Sequence, residues 1–403
     1  TRDALTVFRQ AFDVYSRIGH AAGIGDAAAH LATAHYFLGD MRESLRSAKL
    51  SFRISKERRD RLGMSRALTY MGNVFAIEGR LIRALVMHRR SIRLAREAGD
   101  RHAEIRARVN AGQLLATMRR YADAFGEIRT ALDAFKRNEI GSRFHLLAQN
   151  TLSSIYRALN QHELADEALE VALRHARTHN DTLLLASLLT NYGIGAAIRK
   201  EWPRAIEILE ESLDLKLDMN SLAAESTTRR VLGMCQQAMG RDEEALLQFE
   251  RARTSARMTG NIEEEWRTCC AIADLHLRSG RYAAARSMLH EAMSIVDRYA
   301  VAYDRAYVQR ALARAHIVCG ENVEAIRLLH AARAAEGEVL DDLVSIDAFQ
   351  LSIFEDHVQT HEMLQWAMVD AGAFEMALET AERARARVLA DTLTRRFDIS
   401  PYA

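Results

Sequence analysis

Residues 233–252 read GMCQQAMGRDEEALLQFERA, and residues 273–292 read ADLHLRSGRYAAARSMLHEA. Each run starts on a small residue, reaches a glycine seven positions on, and returns to small residues after five and then seven more. These are Gly233, Gly240, Ala245 and Ala252, and then Ala273, Gly280, Ala285 and Ala292. Outward from here the turn position recurs at Gly39, Gly79, Arg119, Asn160, Lys200, Gly240, Gly280, Gly320 and Gly372. Six of the eight intervals are 40 residues, one is 41 and one is 52. A spacing of seven returns to the same helix face after two turns. The small residues after each turn therefore form one contact face, which meets a third small residue on the helix before the turn. That third position holds Ala32, Gly72, Gly112, Ser153, Gly193, Gly233, Ala273 and Ala313, and only the last repeat departs, with Gln365. Small side chains there let paired helices approach closely and interlock their ridges.

This pattern resembles the tetratricopeptide (TPR) family over nearly the whole chain. The resemblance implies an all-α fold, a right-handed α-solenoid of antiparallel helix pairs. The period exceeds the usual TPR period of about 34 residues, so both helices of each pair should be longer by about a turn. A half repeat carrying Ala4 and Ala11 starts the chain. The expected organisation is a repeat array over 1–335 (half repeat plus eight helix pairs), then an irregular last repeat and a capping or junction helix over 336–403. The longer interval falls in 336–361, where longer or tilted helices are expected, and the final helix should run from Ala373 to about Arg396. The chain opens on Thr1 with a helix lacking its partner, which reads as a piece of a longer polypeptide.

Composition agrees with helices throughout. Only Pro203 and Pro401 are prolines, and alanine, leucine, arginine and glutamate dominate. The charge balance, 55 basic against 54 acidic residues, does not mark the whole chain as a polyanion binder. Cys235, Cys269, Cys270 and Cys319 show no metal-ligand spacing and read as buried thiols of a reducing compartment. The apolar stretch Leu183–Leu189 is too short to span a bilayer. A soluble, cytoplasmic protein is expected, without a membrane partner.

Catalytic motifs are missing: there is no P-loop, GxSxG elbow or HExxH. Gly193-Ile194-Gly195 falls inside a predicted helix, with Gly193 at a packing position. The pairs His175/His179 and His357/His361 have the i, i+4 spacing of a metal site but no third ligand, so solvated histidines are expected. His35, His276 and His316 share one repeat position, which points to the chemistry of the scaffold. We expect no enzyme activity, cofactor or metal.

In TPR-like arrays the first helix of each pair lines the concave face. The repeat register places Arg66, Asn73, Arg106, Gln113, Asn150, Arg157, Arg230, Gln237, Arg267, Arg310 and Arg314 there. Tyr36, Arg278 and Tyr307 join them, with Asp26 and Asp274 as the acidic members. Two readings stand. The arginines are solvated or paired to glutamates of adjacent helices, or they line a positive groove for an acidic peptide, a partner helix or a nucleic-acid backbone. The scarcity of interleaved aromatics favours peptide or protein over nucleic acid.

The segment from Ala377 to Leu393 resembles the helix joining TPR repeats to CHAT (caspase-like) peptidase domains in bacterial proteins. Glu382, Arg383, Arg385, Arg387, Leu389, Asp391 and Leu393 carry the match. The resemblance implies a regulatory region beside a Cys-His peptidase that would follow Ala403. The expected function is a protein-protein interaction scaffold or sensor module. The competing reading is the ligand-sensing repeat region of a bacterial transcription regulator.

Overall fold

The structure, a computed structural model, describes residues 2–136, 142–178, 181–219, 222–298, 302–342, 351–383 and 385. Every regular element among them is an α-helix. Helix α1 (Arg2–Arg17) stands alone and is followed by pairs. The first four are α2 (Ala21–Phe37) with α3 (Met41–Glu57), α4 (Arg61–Ile77) with α5 (Leu81–Glu97), α6 (Arg101–Thr117) with α7 (Tyr121–Lys136), and α8 (Ser142–Ala158) with α9 (His162–Thr178). The next four are α10 (Thr182–Ile198) with α11 (Trp202–Asp218), α12 (Leu222–Ala238) with α13 (Asp242–Thr259), α14 (Ile262–Arg278) with α15 (Tyr282–Val296), and α16 (Ala302–Val318) with α17 (Asn322–Asp342). Helix α18 (Leu351–Asp370) follows, and helical residues continue over 374–383. The fold is the expected TPR-like α-solenoid.

The period has a simple local origin. Helices α4 and α5 have 17 residues each. Turns of three residues, 78–80 and 98–100, complete the 40-residue repeat. At each pair's internal turn the chain passes through a left-handed residue and closes back on the helix. The Gly39 N–H donates to the Tyr36 carbonyl (3.1 Å) and the Asp40 N–H to the His35 carbonyl (2.9 Å), with Gly39 at φ +82°. This is a Schellman-type ending, which favours glycine because it has no Cβ. The recurring histidine serves the same turn: the His35 ring lies 3.6 Å from Asp40, and the His316 ring 2.6 Å from Glu321.

Aspartate caps several helix starts. Asp60, Asp100 and Asp181 in turns between pairs, and Asp40 in the turn within the first pair, each accept a hydrogen bond from the backbone N–H three residues on. Replacing Asp100, whose bond to the Ala103 N–H is 2.7 Å, with alanine should cost about 1 kcal/mol in urea unfolding.

Packing follows the small residues. A Cβ on Gly72 would lie 2.7 Å from the His88 ring, on Gly112 2.8 Å from Ile128, on Gly193 2.7 Å from Leu209, and on Gly233 2.7 Å from Phe249. One contact is thus repeated along the array. Gly193-Ile194-Gly195 lies within α10, as a packing site. In the first pair the first helix is the more enclosed: α2 buries nine residues, α3 five.

The chain divides into two compact units, Thr1–Ala271 and Ile272–Ala403. The position 335/336, where repeat regularity ends, falls inside α17, which at 21 residues is longer than its predecessors. The first unit winds far enough that the α2–α3 turn meets the end of α13. A Cβ on Gly39 would lie 3.0 Å from Thr259.

Candidate functional site

The first unit encloses a groove lined chiefly by its first helices. A smaller cavity of about 300 Å³ is bordered by Tyr36 of α2, Asn73 of α4, Asn110 and Gln113 of α6, and Asn261 and Glu263 at the start of α14. A larger one of about 840 Å³ continues from Gln113 past Asn150 and Arg157 of α8, Asn191 of α10 and Arg230 of α12 to Glu264 and Arg267 of α14. Burial pushes the Tyr36 hydroxyl up to about 12, so it stays protonated and able to donate.

Amides form pairs along this wall. Asn110 Nδ2 donates to Asn73 Oδ1 (3.4 Å), and Asn191 Nδ2 to Asn150 Oδ1 (2.7 Å). Arg157 buttresses the second pair, donating to the Asn191 carbonyl (2.7 Å), to Asn191 Oδ1 (3.0 Å) and to Ser154 Oγ (3.3 Å). Burial lowers the Arg157 guanidinium to about 10, which still leaves it charged near neutrality.

The sequence-predicted positions divide into three groups. Asn73, Gln113, Asn150, Arg157, Arg230 and Arg267 all border the two cavities. Arg66 bonds Asp26 of α2 across one repeat (3.3 Å), and Arg106 is part-buried beside it, its guanidinium lowered by burial. Neither borders either of these two cavities. The remaining three are in other settings. Gln237 is buried in α12, and Arg310 is buried against Glu336 of α17, with Thr360 of α18 donating to the same carboxylate (2.9 Å). Arg314, in the second unit, pairs with Asp274.

Two of the groove arginines follow the reading in which they are paired to glutamates. Arg230 is held by Glu264 (2.8 Å) and Arg267 by Glu263 (2.9 Å). Burial alone would raise the Glu264 carboxyl, but Arg230 and Arg267 hold it below the usual carboxylate range. Arg310 belongs to helix packing, because a side chain of its reach touches the neighbouring second helix before it reaches solvent.

Several lining residues escape a reading by register alone. Asn110 and Asn191 sit two positions before the small residue and Asn150 three before it, so a single expected column misses part of the amide ladder. Arg119 and Lys200 read as stand-ins for a turn glycine, yet both border the larger cavity. Trp202, two residues after Lys200, borders it too.

Among the described residues no group of three or more His, Cys, Asp or Glu could hold a metal ion. His179 and the His357 side chain lie outside the described residues. Cys235, Cys269 and Cys270 are buried, and burial pushes the Cys235 thiol up to about 11. No described helix is long and apolar enough to cross a membrane. Of the junction-like segment, Arg383 and Arg385 form exposed ion pairs with Glu379 and Glu382. Arg387, Leu389, Asp391 and Leu393 lie outside the described residues.

Fold and groove together define a TPR-like helical-repeat protein with a polar concave cavity. The model of the family described as anaphase-promoting complex subunit 5 matches residues 2–76, 115–194 and 193–263. Together these are more than half of the chain, and the chain belongs to that family. No curated protein matches the sequence. Among solved structures, the Rap protein complexed with competence and sporulation factor has a TM-score of 0.63 at 12% identity, covering 84% of this chain and 98% of that one. The Rap conjugation gene regulator of the plasmid pLS20, in complex with the Phr* peptide, has a TM-score of 0.60 at 13% identity, with 78% and 95% covered. NprR in complex with its cognate peptide NprX has 0.50 at 18%, with 64% and 77% covered. At these identities the likeness is one of fold.

Proposed function

We propose that this chain is a binding module that receives a peptide, or an extended segment of a partner protein, in the groove of its first unit. It acts by binding and not by catalysis. The observation that carries the reading is the amide ladder on the inner wall. The Asn150 side-chain N–H groups have no bonding partner among the described residues, and Asn73 and Gln113 border the cavities beside it. Amides with spare donors and acceptors match the repeating N–H and C=O of an extended backbone. The occurrence of bound peptides in structures of the same fold supports this, since the pLS20 regulator and NprR are both peptide complexes.

Within this reading the partner is acidic, and the protein works in the cytoplasm as a scaffold or sensor. The resemblance of the C-terminal segment supports a regulatory role within a bacterial TPR-CHAT protein. The alternative role, sensing for transcription control, is favoured by one observation: a neighbour in fold is a conjugation gene regulator.

Peptides selected by display on the purified protein, then titrated calorimetrically, test the proposal. Asn150→Ala and Asn191→Ala should each weaken the selected peptide by roughly five- to tenfold, the worth of about one hydrogen bond. Selection without any saturable binder, or binders indifferent to both substitutions, would defeat it.

A further inference from the structure

The lining of the larger cavity holds more cations than carboxylates. It has five cations, Arg119, Arg157, Lys200, Arg230 and Arg267, against the two carboxylates Glu263 and Glu264. Those carboxylates are engaged by Arg230 and Arg267 on the α12–α14 side. On the α8–α10 side, Arg157 bonds only neutral acceptors, and Lys200 forms no ion pair among the described residues. Arg119 donates to the Tyr121 hydroxyl (2.8 Å).

The backbone adds an independent observation. Arg119 and Lys200 hold the left-handed turn position at φ +61° and +62°, where Gly39, Gly79, Gly240, Gly280 and Gly320 stand in other repeats. An L-residue with a Cβ is strained there, and glycine is not. Of the four non-glycine residues with positive φ among the described residues, Arg59 and Asn160 border neither cavity, and asparagine tolerates this conformation. Two of the repeats flanking the larger cavity thus keep a long cation at a position where glycine would be more stable. Strain retained at a site is a sign that the side chain is used there.

We propose that Arg119, Arg157 and Lys200 form an anion-receiving corner of the groove, and that the partner is an extended peptide whose carboxylate docks there. The inference rests on the reading of the groove as a peptide site and specifies which part of it selects charge. A peptide fits better than a nucleic acid. Glu263 and Glu264 on the facing wall would repel a phosphate backbone charged at every unit, whereas a peptide can present its carboxylate to one corner and neutral amides elsewhere. Ile194, Ile198 and Met234 between the two walls offer apolar contact to a neighbouring side chain.

The test uses fluorescence anisotropy with fluorescein-labelled peptides of repeated Leu-Asn-Glu and repeated Leu-Asn-Lys, matched in length, and an oligodeoxyadenylate. The Glu peptide should bind the wild type more tightly than the Lys peptide. Lys200→Gly and Arg157→Gln should each weaken it about five- to tenfold. Lys200→Gly should at the same time raise the melting temperature by about 2 °C, because the turn loses its strain. Lys200→Asn, neutral and tolerant of this backbone, should lose the same affinity. If the Lys peptide binds as well as the Glu peptide, or if the variants bind the Glu peptide unchanged, the charged corner is wrong while the peptide groove stands. If neither peptide binds, the groove reading fails and takes the corner with it. Tighter binding of the oligodeoxyadenylate, lost in the variants, would overturn the peptide in favour of nucleic acid.

Discussion

Lys216→Met should stabilise the protein at about pH 6 by about 2–4 kcal/mol and abolish a rise in stability that the wild type shows above neutrality. Lys216 lies in α11 with only 4% of its surface exposed. Its ammonium donates to Thr190 Oγ1 (2.5 Å) of α10 and Thr228 Oγ1 (2.6 Å) of α12. Ser212 and Thr190 complete a buried hydroxyl cluster, Ser212 donating to the Ala186 carbonyl (2.7 Å). Three repeats earlier in the array, Ser65, Thr69 and Ser91 build a similar cluster, with Ala95 and Ala107 at the positions of Lys216 and Thr228. The fold therefore does not require a cation at this joint, and methionine fills the volume without the charge.

Burial pushes Lys216 down to about 7, opposed by the charges of Glu264 from α14 and Glu225 from α12. Those carboxylates are themselves engaged by Arg230 and Arg229. In the unfolded chain a lysine titrates near about 10.4. Between these two values the folded protein binds fewer protons than the unfolded chain, so stability rises with pH across that window. Below about 7 both states hold the proton, and the full penalty of a buried ammonium applies. Urea unfolding from about pH 6 to pH 9, with hydrogen exchange in α10–α12 as the local readout, measures both effects. Wild type and variant curves that run parallel across the window would refute the assignment.

The second large effect lies in the repeated helix contact. Phe249 is fully buried on the bare face of Gly233, and Phe249→Ala should cost about 3–5 kcal/mol through lost burial and the cavity left behind. Gly233→Ala should also destabilise, by about 1–2 kcal/mol. Its Cβ would lie 2.7 Å from the Phe249 ring and 3.1 Å from the Ala245 carbonyl, which outweighs the helix propensity alanine adds. Because the Phe249 ring makes the closest contact, Gly233→Ala should cost clearly less in a Phe249→Leu background, where only the Ala245 carbonyl still crowds the added Cβ. Four urea titrations complete this cycle, and simple additivity would show that the glycine is needed for some other reason.

The same pair shows why the fold was legible from residues alone. Gly233, Gly240, Ala245 and Ala252 are spaced by helix periodicity and by a turn of fixed length. Each constraint acts over one repeat, so each recurs visibly along the chain. The amide ladder was half legible: Asn73, Gln113 and Asn150 fall where the first helix faces inward, but Asn110 and Asn191 enter from a neighbouring column. Arg119 and Lys200 announced themselves only as missing glycines, and their place beside the cavity depends on how the pairs stack.

Charge in the groove lay beyond any such reading. Arg230 and Glu264 are 34 residues apart, Arg310 and Glu336 are 26 apart, and Arg314 and Asp274 are 40 apart. Whether an arginine faces a carboxylate at those distances depends on interhelical packing and side-chain reach, which local spacing does not encode. Lys216 is the sharpest case: along the chain it is one more charged residue of an amphipathic helix. Helix length, turn chemistry and the close face of each pair are thus properties of single repeats and can be read from composition and period. The burial of a cation, the cancellation of another and the corner left positive arise where three or more helices meet, and only the folded array determines them.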